Sequence, residues 1–214
     1  MNGGGTTGGG APAGEARPAA HLSRLRVTVR PARLLDVRPL LHLYRDRSEA
    51  SKSTYHPFPS DRIRLTLIYA WMIVARRAMR FLMRHFPRRA ATLLVALAPD
   101  GRTIVGYGTV RLMSGRGEEP VARFGYMVGD AYQGQGVGGA LIAAMVQAAK
   151  SLGIRKGGGT VLQQNAASAH LIQRFGWQLR AGEPDRGAPG AVNLTSVADL
   201  DELFPSKPRR NEPP

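Results

Sequence analysis

Hydrophobic residues recur at two spacings along this chain, and the two spacings predict a mixture of strands and helices. Short apolar runs, or alternation of apolar with polar residues, predict strands at residues 25–29, 91–98, 104–113, 124–128 and 191–195. The second and third of these flank the turn sequence Pro-Asp-Gly-Arg, which indicates a β-hairpin. The chain is therefore predicted to build a sheet in which at least one pair of strands is antiparallel.

Three other stretches carry the three- and four-residue spacing of amphipathic helices. They follow Asp36, follow Asp61 and begin at Val137. The longest is predicted over residues 61–84 and has two apolar strips on roughly opposite sides, with arginines between them. The first strip is Leu65, Ile68, Met72, Ala75, Met79, Leu82 and Met83; the second is Ile63, Leu67, Val74 and Phe81; the arginines are Arg62, Arg76, Arg77, Arg80 and Arg84. This pattern fits a dimer contact, a lid over an acceptor site, a membrane-surface helix, or burial of both strips.

The segment at residues 124–152 passes from an apolar strand through four glycines into a helix. The first turn of a helix leaves backbone N–H groups without intrahelical partners, and the helix dipole adds partial positive charge there. Gly134, Gly136 and Gly138 carry no side chain that would hold an anion away from those donors. The segment is thus predicted to bind a phosphate group.

Two nucleotide-binding motifs overlap in that segment. Residues 134–139 match the G-x-G-x-x-G fingerprint of dinucleotide-binding folds, which also needs an acidic residue about 20 positions further on. Residues 154–160 contain no carboxylate, and too little chain follows to complete a doubly wound sheet. The alternative motif, Q-x-x-G-x-G at Gln133, Gly136 and Gly138, resembles the acyl-CoA pyrophosphate loop of the GNAT family of N-acetyltransferases.

Two further stretches share this resemblance, which covers roughly residues 25–180. Residues 160–165 end at Asn165, and a short helix and Gly176-Trp177 follow, as in that family. Residues 27–32 and Asp36 resemble the family's first strand and helix cap. The resemblance implies one α/β (α+β) domain with a mixed, mostly antiparallel central sheet flanked by helices. It also implies acetyl-CoA as co-substrate, no metal, and direct transfer of the acetyl group to an amine.

The same resemblance assigns roles to individual residues. The cofactor-binding set comprises Met127, Val128, Gln133, Gly134, Gln135, Gly136, Val137, Gly138, Asn165 and Ser168. Two positions depart from the family: Ile172 stands where many members carry a tyrosine as general acid, and Arg123 stands near the usual glutamate base. Glu119 and Tyr126 are therefore the catalytic candidates. His56 is a weaker candidate for contact with the acceptor.

Composition and charge narrow the function further. The 214 residues contain no cysteine, which excludes a disulfide, a thiolate metal site and an acetyl-cysteine intermediate. The net charge of +15 is mostly arginine and fits either a polyanionic partner or GC-rich codon usage. Without a signal peptide or an apolar run long enough to span a bilayer, a cytoplasmic protein is expected. Residues 1–22 and 205–214 are predicted to be disordered, which leaves residues 23–204 as the domain.

Two other functions stay open at this point. A regulator that binds acyl-CoA without turnover would explain the missing tyrosine and glutamate. A nucleic-acid-binding protein would explain the charge, although the sequence lacks a recognition motif. The amine acceptor is not identified, and a homodimer is considered. The scarcity of carboxylates argues only against polycationic acceptors such as polyamines.

Overall fold

The computed structural model describes residues 25–54, 61–86, 90–113, 119–184 and 192–205. The strands are β1 (Thr28–Pro31), β2 (Ala91–Leu97), β3 (Ile104–Leu112), β4 (Val121–Val128), β5 (Lys156–Leu162), β6 (Arg180–Pro184) and β7 (Val192–Asp199). The helices are α1 (Val37–Arg45), α2 (Glu49–Thr54), α3 (Arg62–Ala75), α4 (Met79–His85), α5 (Val137–Ser151), α6 (Ala166–Arg174) and α7 (Leu200–Leu203).

All seven strands belong to one sheet, in the order β1-β2-β3-β4-β5-β7-β6. Every neighbouring pair is antiparallel except β4 and β5, which run parallel. The hairpin predicted around the Pro-Asp-Gly-Arg turn is present as β2 and β3, and Gly101 takes the left-handed conformation in that turn. The predicted fold class, a mixed and mostly antiparallel sheet flanked by helices, is confirmed.

Both faces of the sheet are covered, because side chains of a strand point alternately to either side. On β2, Leu93, Val95 and Leu97 join one buried cluster with residues of α1 and α3. Leu94 and Ala96, between them, belong to clusters that contain residues of α5. The sheet is therefore sandwiched between α1 and α3 on one face and α5 on the other.

Strands β4 and β5 separate after a short stretch of pairing. Their parallel register covers only residues 121–123 of β4 and 156–158 of β5. Beyond that point β4 continues to Val128 and β5 to Leu162 without further ladder pairs between them. The remainder of β4 thus has a strand partner on its β3 side and a gap on its β5 side.

The single helix predicted over residues 61–84 is wrong, because α3 ends at Ala75 and α4 begins at Met79. Between them the N–H groups of Arg77 and Ala78 donate to carbonyls three residues back, so the chain tightens into a turn. Neither glycine nor proline marks the break. The packing changes near the break: Leu65, Tyr69 and Met72 of α3 join the cluster with α1, whereas Ala75, the last residue of α3, and Leu82 of α4 join the cluster with α5.

The alternative in which both apolar strips are buried is also wrong. Leu65, Met72, Ala75 and Leu82 of the first strip are buried. Ile63, Leu67, Val74 and Phe81, the whole second strip, are exposed. Tyr69, which is outside the predicted strip, is buried on the same side of α3, and its ring packs edge-on against Tyr107 of β3 with ring centroids 5.8 Å apart.

Other local predictions need correction or lie outside the described residues. The loop expected from Ser48 contains helix α2, and the mobile stretch expected from Gly182 begins as strand β6. The last strand extends to Asp199 and leads into α7. His56, residues 1–24 and residues 206–214 lie outside the described residues, so the disorder expected at both ends stays a prediction.

Candidate active site

The connection from β4 to α5 has the geometry of an anion-binding loop. After β4 the chain makes a 3-10 turn at Asp130–Tyr132, and Gly134 (φ 73°) and Gly136 (φ 87°) then adopt the left-handed conformation. Side chains other than glycine are strained there, which accounts for both glycines. Gly136 is the N-cap residue of α5, and no side chain accepts a hydrogen bond at this cap. The N–H groups in the first turn of the helix therefore face the loop and can donate to a ligand.

Gly138 has a different reason for being glycine. A Cβ at this position would lie 2.8 Å from the Leu171 methyl group of α6 and 3.4 Å from the Tyr126 ring. The absence of a side chain therefore lets α5 approach both β4 and α6. The sequence predicts that Gly138 helps to admit phosphate, whereas the structure supplies a packing reason.

A hydrogen-bond network centred on Asp130 fixes the loop against α2. The Asp130 carboxylate accepts from the Ser48 N–H at 2.6 Å, from the Ser51 hydroxyl, and from Gln133 Nε2 at 2.9 Å. Burial on its own would raise the pKa of Asp130, but the bonds from Ser51 and Ser48 outweigh it and the pKa is lowered. The Gln133 side chain is thereby turned back toward the loop's own start.

Asp130, Ser48 and Ser51 were not predicted as site residues. Asp130 stands beside the glycines in the sequence, but its partners lie about eighty positions earlier in the chain. Only the approach of α2 to the loop brings them together. The sequence offers one local signal for α2, which is Ser48 followed by Glu49. This pair is common at helix starts but also occurs in loops, so it does not predict the helix.

Asn165 and Ser168, the two predicted site residues that follow β5, both lie at the start of α6. Asn165 caps this helix: its side-chain oxygen accepts from the Ser168 N–H at 3.1 Å. That bond leaves the Asn165 amide N–H groups facing away from the cap, where they are able to donate to a ligand. The Ser168 hydroxyl is 2.6 Å from the hydroxyl of Tyr126 on β4. A single hydrogen bond thus links β4 to the helix that follows β5.

Tyr126 is suited to donate a proton and unsuited to accept one. Burial raises the pKa of the Tyr126 phenol, and the Ser168 hydrogen bond offsets this rise only in part. The phenol is therefore neutral at neutral pH. Its neighbour Met127 points to the opposite face of the sheet, into the cluster with α1 and α3, so it is the backbone of Met127 and Val128 that borders the gap.

Glu119 lies at the other end of β4. It precedes the strand and makes an ion pair with Lys156, with 2.6 Å between Oε2 and Nζ. Tyr126 lies seven positions later in the sequence, which is about 23 Å along an extended strand. The structure consequently does not bring the two catalytic candidates together. Arg123 lies between Glu119 and Tyr126 in the sequence and belongs to the last residue pair of β4 and β5. Its side chain donates a hydrogen bond to the Thr160 hydroxyl of β5.

Ile172 has an apolar role in the structure. It is half-buried and packs against the cluster that contains α5. It lies one helical turn after Ser168, so the Tyr126 hydroxyl sits about one turn from the position that carries a tyrosine in many family members. Across the described ranges, no group of three or more histidines and carboxylates is placed to hold a metal ion. Nor does any helix in those ranges have the length and apolarity to cross a membrane.

Comparison with known proteins identifies the family of this chain. The family model for the acetyltransferase (GNAT) domain matches residues 26–178. The chain therefore belongs to the GNAT family. Membership makes the protein an acyltransferase of the N-acetyltransferase class, with acetyl-CoA as its co-substrate. No curated protein has a sequence that matches this chain.

Solved structures share the fold at low sequence identity. A phosphinothricin acetyltransferase from Sinorhizobium meliloti in complex with acetyl-CoA is 18% identical, with 86% of this chain and 94% of that chain covered and a TM-score of 0.64. A ribosomal-protein-S5-alanine acetyltransferase from Vibrio fischeri is 13% identical, with 84% and 96% covered and a TM-score of 0.65. A GCN5-related N-acetyltransferase from Kribbella flavida is 22% identical, with 81% and 97% covered and a TM-score of 0.60.

Proposed function

We propose that this protein transfers an acetyl group from acetyl-CoA to an amine by direct attack, and that its β4–α5 loop holds the diphosphate of the donor. The observation that carries the proposal is the pair of left-handed glycines, Gly134 and Gly136, which end at the uncapped start of α5. The cofactor-binding residues predicted from the sequence, from Gln133 to Gly138, all lie in this loop or in the first turn of the helix.

The loop attracts an anion electrostatically as well as leaving room for it. Backbone N–H groups at the start of a 15-residue helix combine hydrogen-bond donors with the positive end of the dipole. The carboxylate nearest in sequence, Asp130, is turned away toward Ser48 and Ser51, so it adds little repulsion to an anion at the helix start. The loop is also held from the other side, because the Gln135 carbonyl accepts from the Leu25 N–H at 3.0 Å.

The gap between β4 and β5 supplies the next part of the donor site. An extended chain carrying amides can pair with the free side of β4 at Met127 and Val128, as a strand would. Asn165 stands at the end of β5 and is able to donate from its amide nitrogen to a carbonyl in the gap. In this proposal Ser168 acts on the site through the hydroxyl of Tyr126.

Acetyl-CoA supplies an activated acyl group as a thioester. On the enzyme's side, a backbone N–H near Met127 or Val128 would donate to the acyl oxygen. The neutral phenol of Tyr126 would donate a proton to the leaving sulfur, with Ser168 orienting it. The sequence has no cysteine, which excludes an acetyl-cysteine intermediate, and in this proposal the amine attacks the thioester directly. Glu119 is a weaker proposal as base because it is paired with Lys156.

The acceptor in this proposal is a primary amine, and two of the similar structures suggest where to begin. Their names refer to phosphinothricin and to the alanine of a ribosomal protein, both of which offer an amino group. An alkylamine is mostly protonated at neutral pH, so the acceptor must lose a proton before attack. A cytoplasmic location, the domain bounds 23–204 and a homodimer stay predictions.

The experiment compares one substitution at the two ends of α5. Gly136→Glu places a carboxylate at the proposed diphosphate site, whereas Gly153→Glu places it after the helix, at another left-handed glycine with open space around it. Both variants strain the backbone in the same way. We expect Gly136→Glu to weaken acetyl-CoA binding at least about 100-fold by calorimetry, as charge repulsion and lost donors add. Gly153→Glu should bind like the unmodified protein.

Equal binding by the two variants would refute the assignment of the loop. Turnover is tested separately by thiol release from acetyl-CoA with a panel of amines that includes phosphinothricin and a peptide with N-terminal alanine. Release with at least one amine is the expected result. Binding without release for any amine would instead favour the regulator that binds acyl-CoA without turnover.

A further inference from the structure

Helix α3 presents a row of large apolar side chains to solvent. Ile63, Leu67, Trp71 and Val74 are 70%, 63%, 46% and 52% exposed. At 100° per residue they fall within an arc of about 80° and extend over about 17 Å of helix. We call these four residues the α3 ridge. Of the ten exposed large hydrophobic residues found in the described part of the chain, six lie between residues 62 and 86.

The orientation of the ridge is fixed by the opposite side of the same helix. Leu65, Tyr69, Met72 and Ala75 are buried, and the first three belong to the cluster formed with β2 and α1. The ridge consequently points away from the sheet. Helix α3 also packs on β2, which is separated from β4 by β3, so the ridge does not cover the gap between β4 and β5.

The charges around the ridge are mostly positive. Residues 62–86 contain six arginines and neither aspartate nor glutamate, and the residue before them, Asp61, carries a carboxylate that accepts from the Arg64 N–H at the start of α3. Arg62 and Arg64 at the start of α3, and Arg76 and Arg77 just after its end, are exposed. At 100° per residue Arg64 lies within about 20° of the angular position of Trp71, about two turns nearer the start of the helix. An occupant of the ridge must therefore offer apolar contact at its centre and negative charge at both ends.

A second copy of this chain does not meet that requirement. A two-fold interface would place the same surface on both sides. With two α3 helices antiparallel across such an axis, Arg62 and Arg64 of one copy would approach Arg76 and Arg77 of the other. Between residues 61 and 86 the sequence has one carboxylate, Asp61, so each end of the contact would bring four arginines together with a single carboxylate, and the net effect would be repulsion.

We propose that the α3 ridge docks this protein on an anionic lipid surface. Helices that lie in the plane of a membrane interface carry apolar and aromatic residues on one side and basic residues at its edges. Tryptophan favours the headgroup level, where its ring is apolar and its N–H is hydrated. Anionic headgroups attract arginines close to the surface. The ridge and the arginines at its two ends together supply all three features, on a helix that is packed against the sheet.

The test uses vesicles of phosphatidylcholine alone and of phosphatidylcholine mixed with phosphatidylglycerol. The full chain should co-sediment with the mixed vesicles and only weakly with the neutral ones. Its fluorescence should shift to the blue on binding. Trp177, the second of the two tryptophans, is buried, so the shift reports on Trp71. Higher salt should weaken the binding, because part of the attraction is electrostatic.

Variants separate the ridge from general charge. Leu67→Gln should weaken binding to mixed vesicles roughly tenfold, and Arg64→Gln roughly fivefold. Val197→Gln, at an equally exposed position on β7, is the matched control and should bind like the unmodified protein. Acetyl-CoA binding, measured for each variant, should be unchanged and so show that the fold is intact.

Three results would overturn the proposal. The first is absence of binding to mixed vesicles. The second is binding that Leu67→Gln leaves intact, since charge alone would then account for it. The third is a dimer in sedimentation velocity without lipid that Leu67→Gln converts to monomer, which would make the ridge a contact between copies.

Discussion

The β4–α5 loop and the α3 ridge both expose groups that folded proteins usually cover, but they expose opposite kinds. The loop presents backbone N–H groups at the start of α5, and the ridge presents apolar side chains. In the loop the exposure follows from local backbone conformation, because Gly134 and Gly136 are left-handed. In α3 it follows from the position of the sheet, since the helix has apolar residues on both sides and the sheet covers only one.

The two regions should therefore respond to substitution in different ways. Substitutions in the loop and around it should alter acetyl-CoA binding and catalysis by moving or removing individual hydrogen-bonding atoms. Changes in α3 should separate cleanly into a buried face that governs folding and an exposed face that does not. Four predictions test this difference, from the largest expected effect to the smallest.

The largest effect is expected from Leu65→Ala on the buried face of α3. Leu65 is fully buried, so truncation should lower the free energy of unfolding by about 2–5 kcal/mol. Leu67→Ala, two residues later on the ridge, should change it by less than about 0.5 kcal/mol. Urea denaturation of both variants measures the difference. Similar losses for the two would mean that the ridge is covered in solution.

Tyr126→Phe should lower kcat roughly 10- to 100-fold, because a hydrogen bond to a developing charge is worth about 1.5–3 kcal/mol. The KM for acetyl-CoA should not change, since the phenol contributes to the leaving step and not to binding. Steady-state kinetics with a competent amine checks both values. Ser168→Ala should produce a smaller fall in kcat. If Tyr126→Phe loses stability but keeps its kcat, the hydrogen bond to Ser168 is structural only.

Gly138→Ala and Gly139→Ala form a matched pair in the first turn of α5. The Cβ added at position 138 would lie 2.8 Å from Leu171 and should destabilise the protein by about 1–3 kcal/mol. A Cβ on Gly139 meets the Phe175 ring at 3.6 Å, an ordinary contact, so helix propensity should stabilise that variant by up to about 1 kcal/mol. Thermal unfolding compares them. Opposite signs support the packing role; equal effects argue against it.

The smallest effect is expected from Asp130→Asn and depends on pH. Because the pKa of Asp130 is lowered in the folded state, its carboxylate stabilises the fold above the unfolded pKa of about 3.9. That contribution disappears as pH falls through the lower folded pKa. The difference in unfolding free energy should be below about 1 kcal/mol at pH 7 after solvent screening, and should vanish in acid. A difference that persists in acid would contradict the assignment.

Much of the fold could be predicted because its signals are local. The hairpin of β2 and β3 follows from two apolar runs around a turn sequence. The strand, loop and helix that bind the donor in our proposal follow from an apolar run, glycines and helical spacing at residues 124–152. In each case a few neighbouring residues restrict the backbone enough to determine the local structure.

Predictions failed where distant segments decide the outcome. The break between α3 and α4 has neither glycine nor proline, and it follows the change from one buried cluster to another. The stretch predicted to be mobile from Gly182 begins as part of strand β6, because it pairs with β7, which lies beyond a glycine- and proline-rich stretch. The Tyr126–Ser168 bond joins residues 42 positions apart, so no local pattern could indicate it.

The sequence by itself indicated the loop, since glycine is the residue that adopts the left-handed backbone without strain and this segment concentrates glycines. It also determined the family, through motifs whose order and spacing can be compared directly. Only the tertiary structure decided which apolar strip of α3 is covered and which hydroxyl meets Tyr126. Burial and long-range contacts depend on what the rest of the chain places nearby, and the spacing of residues along one helix does not contain that information.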